Sequence, residues 1–231
     1  MHPSPIKNRV LYTDNHLIAV YKNAGEIVQG DKTGDLPLSH LVAEYLRIEF
    51  QKPGAAFIGV IHRIDRPVSG VVIFARTSKG LSKMNALFRD RKIRKTYRAL
   101  VEGKINDAQG TLIHYLSKNE EQNRSKAADK PADGLLRCEL HYTVIKHTER
   151  YTLVELEPIT GRHHQIRVQL SAIGHPIRGD IKYGARRGNK DRSICLHAYA
   201  IEFEHPVSKE SVNIVCPIPE NEAWRPSSAE A

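Results

Sequence analysis

The sequence predicts an α+β protein built on a mixed, mainly antiparallel central sheet with flanking helices. Strand-like runs are many and amphipathic helical stripes are few, and the stripes are scattered among the strands rather than alternating with them. Two pairs of strand runs are joined by short polar turns of hairpin length, at 14–16 and 146–150. No segment repeats along the chain.

The elements follow in order. Residues 10–21 read as two short strands around Asp14, Asn15 and His16. Lys22-Asn23-Ala24-Gly25 breaks the second strand, and Ile27-Val28 resumes an extended run. Leu38, Leu41, Val42, Tyr45 and Leu46 form one apolar stripe at helical spacing, with Asp35 or Ser39 as a cap and 51–54 as the stop. Val60-Ile61 and the apolar run 71–74 predict two buried strands. Thr77 or Ser78 caps a second helix that buries Leu81, Met84 and Phe88 and exposes Lys79 and Lys83.

Residues 93–103 predict a strand closed by Gly103, in which Tyr97 can point to either face. The segment 117–134 has no apolar residue larger than Ala. It is expected as a disordered insertion or a mobile loop, too long for a tight turn. Residues 136–145 and 151–156 predict a hairpin, and Pro158 stops the second strand. Ile166, Leu170 and Ile173 mark the buried side of a short helix, with Thr160 a possible N-cap and Gly174 its end. Residues 212–216 predict a closing strand.

Composition narrows the class. With 231 residues, 40% apolar and 26% charged, the chain suits a folded globular protein rather than a disordered one. No run approaches the roughly 18 apolar residues that span a bilayer. Residues 1–5 lack the apolar core of a signal peptide, so a cytoplasmic location is expected. Cys138, Cys195 and Cys216 are widely spaced and suggest neither a disulfide framework nor a zinc knuckle. The net charge of +9 favours a polyanionic partner. It is concentrated in 76–98, where nine basic residues face Asp90 alone, and in 162–192, where eight face Asp180 and Asp191. Two such stretches suit a groove that tracks a phosphate backbone, or else are two solvated faces that never meet.

One polar segment sits where a core does not favour a carboxylate. Between the strand runs 60–61 and 71–74 lie His62-Arg63-Ile64-Asp65-Arg66-Pro67-Val68-Ser69-Gly70. Arg63 and Arg66 flank Asp65, and nearby positive charge favours the ionised form of a carboxylate. On residue types alone this is a salt-bridged turn or an active centre. The run resembles the His-Arg-Leu-Asp-X-X-Thr-Ser-Gly signature of the RluA-type pseudouridine synthases. Lys95, Tyr97, Ala99 and Val101 match that family's Lys-X-Tyr-X-Ala-X-Val, and 160–167 is similar to its Thr-Gly-Arg-X-His-Gln-Ile-Arg. Residues 173–184 and 194–206 match later motifs, so the similarity covers nearly the whole chain.

The resemblance implies a pseudouridine synthase fold with a catalytic cleft, as a single domain over 10–219 between tails at 1–9 and 220–231, with no N-terminal S4 domain. It implies an RNA-modifying isomerase acting on rRNA or tRNA, with no cofactor, no metal, no obligate protein partner, and a monomeric chain. Asp65 takes the place of the catalytic carboxylate, Tyr97 of the active-site tyrosine, and Arg167 of the partner of that carboxylate. Arg63 takes the place of the arginine that fills the space left by the flipped base. His62, Arg162, His163, Gln165 and Ile166 fall in the same motifs as substrate contacts, with Ile166 or Val168 as the apolar wall beside the base. The segment 117–134 lies where relatives place RNA-gripping loops.

Three departures stand out: Asn23 for a proline, Ile64 for a leucine, which conserves volume, and Val68 for a threonine, which removes one hydroxyl from the turn. The form Asp-Arg-Pro-X-Ser-Gly is closer to the tRNA-acting subgroup. A non-catalytic RNA-binding or RNA-folding protein on the same scaffold predicts loss of Asp65, Tyr97 or Arg167, and all three are present. A nucleosidase with paired carboxylates needs a second acid beside Asp65, where the motifs offer arginine. Neighbouring His163 and His164, with His175, suggest a metal site, against which stand Arg162, Arg167 and the lack of a nearby carboxylate.

Overall fold

A computed structural model describes residues 6–225 of the chain. The expected frayed tail at 226–231 and residues 1–5 lie outside the described residues. The chain forms two compact units, one from residues up to 94 with 198–217 and the other from 95–197 with 218 onward.

In the first unit Ile6–Arg9 is a 3-10 turn with Ile6 and Arg9 buried, so part of the expected N-terminal tail is ordered. Arg9 is held by both carboxylate oxygens of Glu26 and donates to the Tyr21 carbonyl at 2.8 Å. The hairpin β1 (Val10–Thr13) and β2 (Leu17–Lys22) forms around Asp14, whose Oδ1 accepts from His16 N and Leu17 N. Ile27 and Val28 are irregular rather than extended strand, and their carbonyls accept from Leu38 N and Ser39 N. That contact starts helix α1 (Leu38–Glu49), so neither Asp35 nor Ser39 caps it; its orphan amides are satisfied by backbone. Leu38, Val42 and Leu46 are its buried stripe.

The short β3 (Gly59–Val60) and β2 both pair antiparallel with β4 (Ser69–Ala75), which is buried along its whole length. Thr77 caps helix α2 (Ser78–Arg89) by accepting from Gly80 N. Met84 is fully buried, and Leu81 and Phe88 are half-buried.

The second unit begins on β5 (Arg94–Glu102), which pairs antiparallel with β9 (Tyr151–Pro158); its sheet runs on through β8 (Leu136–His147) to β6 (Gln109–Asn119) and β7 (Arg124–Ala128). The segment 117–134 therefore departs from expectation. It is a β6–β7 hairpin with a tight turn at 120–123, followed by an irregular stretch to 135. The inward positions of β7 are the buried Ser125 and the half-buried Ala127, so the strand covers its side of the core without a large apolar residue and shows no apolar alternation. Helix α3 (Gln165–Ala172) buries every residue from Gln165 to Leu170 and ends at Gly174 with φ +82°. Its N-cap is His164, not Thr160, because 160–164 is a turn stitched by side chains. β10 (Leu196–Glu204) then carries the chain back to the first unit, where it pairs with β11 (Ser211–Val215). Among the described residues no helix is long and apolar enough to cross a membrane.

Candidate active site

In the first unit the signature segment turns between β3 and β4. Asp65 is half-buried, its carbonyl accepts from Val68 N at 3.0 Å, and Ile64 and Val68 anchor the turn in the core. His62 Nε2 accepts from Ile73 N at 3.0 Å, and its ring stacks on Phe88 with centroids 5.1 Å apart. His62 thus ties the segment to β4 and α2. Arg63 is exposed. Arg66 leaves the flank of Asp65 for Asp35, at 2.7 Å, and Thr33 Oγ1.

Two contacts fix the backbone of this turn. Gly70 has φ +128°, and a Cβ there would come within 2.4 to 2.7 Å of Ala198 backbone atoms, so only glycine fits. Lys22, read from the sequence only as the residue before a break, is fully buried beneath the turn. Its Nζ donates to the carbonyls of Asn23, Arg66 and Val68 at 3.0, 3.1 and 2.7 Å. Burial pulls this lysine down to about 7, against the upward pull of Glu26 and Asp65.

In the second unit Tyr97 stands opposite Leu156 in the β5–β9 ladder and is half-buried. Strand alternation places Lys95 on the same face. Lys95 Nζ is 3.8 Å from where a Gly161 side chain would begin, and burial lowers its pKa. The face of β5 that carries Lys95 and Tyr97 therefore borders the turn that opens α3. Gln165 organises that turn from within: its Oε1 accepts from Thr160 Oγ1 and Arg162 N, and its Nε2 donates to the Glu139 carbonyl. Gln165 is a buried brace, and Arg162 is exposed beside it.

His163 and His164 stack at 3.8 Å, and each is engaged by hydrogen bonds. His163 meets Ser125 Oγ at 2.9 Å and Asn123 Oδ1 at 3.0 Å, tying the β6–β7 hairpin to this turn. His164, in left-handed backbone at φ 53°, meets Tyr183 Oη at 2.8 Å, and that oxygen accepts from Ser125 N. Burial pushes the Tyr183 hydroxyl up, opposed by the Ser125 bond and Arg167. Ile166 is 7% exposed in the first turn of α3.

Arg167 is buried and gripped bidentately by Asp180, Nε to Oδ2 at 2.7 Å and Nη2 to Oδ1 at 2.9 Å. Its guanidinium also lies 5.0 Å from the Tyr183 ring centroid. Sequence reasoning missed Asp180 as the residue that orients Arg167. The place of Asp180 as one of only two acids within the basic stretch 162–192 was the available signal. The site residues thus fall into two constellations, with His62, Arg63, Asp65 and Lys22 in one unit and Tyr97, Arg162 to Arg167 and Asp180 in the other.

Residues 16–172 match the sequence profile of a family described as RNA pseudouridylate synthase. Ribosomal large subunit pseudouridine synthase C of Vibrio parahaemolyticus is 33% identical over 92% of this chain and 66% of its own length. The chain therefore spans just under two thirds of that relative. tRNA pseudouridine synthase C of the same organism is 32% identical over 90% of this chain and 89% of its own. Among solved structures, human RNA pseudouridylate synthase domain containing 1 superposes with TM-score 0.73 and 27% identity, over 94% of this chain and 86% of that one. The chain belongs to the RNA pseudouridylate synthase family.

Proposed function

We propose that this chain isomerises uridine to pseudouridine in a structural RNA, rRNA or tRNA, without a cofactor. The reaction breaks the N1–C1′ bond, rotates the uracil, joins C5 to C1′ and moves the C5 proton to solvent while N1 regains one; atoms and charge balance within the nucleotide. Asp65 attacks, or stabilises positive charge at, the reacting nucleotide. Arg167, oriented by Asp180, is the guanidinium that serves this carboxylate. Tyr97 offers an aromatic face to the flipped base and assists loss of the C5 proton. Arg63 fills the vacated stack, and Ile166 lines the base.

The observation that carries this reading most is the backbone around Asp65. A buried lysine and a glycine that admits no side chain hold its turn, as a reacting group requires. Relatives of nearly equal identity bear rRNA and tRNA names, which supports either RNA as substrate. Exposed cations on α2 (Lys79, Lys83, Arg89) and at Arg162, Lys182 and Arg186 suit phosphate contacts. A cytoplasmic, monomeric enzyme fits the same reading. Pseudouridine maps of cellular RNA with and without the protein test it. One or a few uridines should lose their modification, and unchanged maps would reject the reading.

A further inference from the structure

The second unit carries a pair of cavities that the isomerase chemistry does not use. Both open on Tyr151, the first residue of β9. The larger, about 670 Å³, is bordered by Glu102, Arg150, His175, Arg186 and Arg187. The smaller, about 190 Å³, is walled by Leu100, Leu153 and Trp224 and reached by Lys146 and Arg178.

Their position within the unit separates them from the residues assigned to catalysis there. In the β5–β9 ladder Tyr97 faces Leu156, while Tyr151 faces Glu102 at the other end. Five residues of strand at about 3.4 Å each put these ends about 17 Å apart. His175 likewise follows the C-terminus of α3, whereas Arg167 lies in its first turn.

The chemistry of the two cavities is complementary. The small one has the size of a single planar base and is walled by aromatic and aliphatic side chains. The Arg178 guanidinium lies 4.8 Å from the Tyr151 ring centroid, a cation–π contact that braces the ring at the edge of the slot. Trp224 is fixed edge-on to His197, with centroids 6.1 Å apart. The large cavity presents three guanidinium groups, at Arg150, Arg186 and Arg187, all exposed toward solvent. Guanidinium forks match phosphate geometry.

Two acids, Glu102 and Glu149, line the cavity against these three cations. Glu102 Oε1 accepts from Arg186 N at 3.0 Å and its Oε2 lies 3.9 Å from Arg186 Nε, so Glu102 is turned to Arg186, and Arg150 and Arg187 carry most of the phosphate contact. The floor is rigid. Gly103, at φ +79°, donates to the Arg150 carbonyl at 2.8 Å, and His175 Nδ1 meets the Glu102 carbonyl at 2.9 Å.

We propose that the paired cavities at Tyr151 bind a nucleotide, with the base in the Tyr151–Trp224 slot and the phosphate on Arg150, Arg186 and Arg187. That the nucleotide belongs to the RNA being modified rests on the function proposed above; the affinity for a phosphorylated nucleoside does not. About 17 Å is the length of roughly five stacked nucleotides at 3.4 Å each, so the site would read a position flanking the target uridine.

Trp224 is the chain's single tryptophan, so its fluorescence reports this slot alone. The full chain is titrated separately with AMP, inorganic phosphate and a short single-stranded oligoribonucleotide. AMP and the oligonucleotide should each change the Trp224 signal saturably, and phosphate should act only as a weak competitor. The double variant Arg150→Gln/Arg187→Gln should weaken AMP binding at least about tenfold through loss of two charge-assisted bonds, with an unchanged melting temperature. AMP displaced by the oligonucleotide identifies the RNA as the source. AMP that stays bound under saturating oligonucleotide identifies a free nucleotide. No signal change with AMP or oligonucleotide, equal effects of phosphate and AMP, or undiminished affinity in the double variant would overturn the site. The readout needs no turnover, so its failure leaves the isomerase reading standing, and an inactive chain leaves nucleotide binding measurable.

Discussion

In the unit that contains Asp65, the candidate nucleophile rides on a turn fixed through its backbone: three carbonyls gathered by Lys22, a glycine pressed on Ala198, and His62 bonded to Ile73 N. In the other unit Arg167 is fixed through its side chain, by a buried bidentate pair with Asp180 and by the Tyr183 ring. The difference follows from what each group must do. A backbone clamp positions a carboxylate without competing for its oxygens. A guanidinium has five donors, so a bidentate pair orients it with only two of them.

This contrast can be broken from either side. The largest effect is expected from Asp180→Ala. Removing one partner of a buried ion pair typically costs about 3–5 kcal/mol, so urea denaturation should show a shift of that order, and pseudouridine formation should fall with it. Gly70→Ala comes next. The added methyl must push the Ala198 backbone away, at about 1–3 kcal/mol for overpacking, together with a loss of activity that leaves RNA affinity in place. An Ala variant with full activity would show that the turn tolerates movement.

Lys22 gives a subtler test through pH. Its folded value of about 7 lies below the ordinary 10.5, so between them the unfolded chain holds the proton more tightly. The stability of the protein relative to Lys22→Met should therefore fall as pH drops from about 10.5 to about 7 and level off below that. Denaturation of both proteins across this range checks the slope, and parallel curves would mean that Lys22 does not titrate there. The smallest effect belongs to Thr77→Ala, which removes the α2 cap beside the signature strand at about 1 kcal/mol. It should lower the melting temperature without changing turnover, because it touches neither clamp.

The same contrast explains what was legible in the sequence. Strand runs, both hairpins and the α1 stripe announced themselves by period, and Pro67 marked the turn at 66–67 because backbone demands select residue types locally, whereas Ser69-Gly70 open β4 rather than turn the chain. The Arg167–Asp180 pair spans 13 positions and is made by side chains, which no local pattern records. Lys22 was hidden for a related reason. A lysine at a strand end reads as exposed, and only the fold shows three carbonyls converging on it. The β6–β7 hairpin was missed because apolar alternation marks strands that cover a core with large apolar residues. Here Tyr183, donated to by Ser125 N, and His163 on Ser125 Oγ hold the hairpin through polar contacts instead. The expected caps at Asp35 or Ser39 and at Thr160 failed where the carbonyls of Ile27 and Val28, and the Gln165 side chain, did the work of a capping residue.

The central claim is that Asp65 is the reacting carboxylate, and release of tritium from RNA labelled at uridine C5 measures it directly. The intact protein should release tritium, and Asp65→Asn should reduce release to background, at least about 10³-fold, while binding the same RNA with unchanged affinity. Tritium release by Asp65→Asn at a rate near that of the intact protein would contradict the assignment.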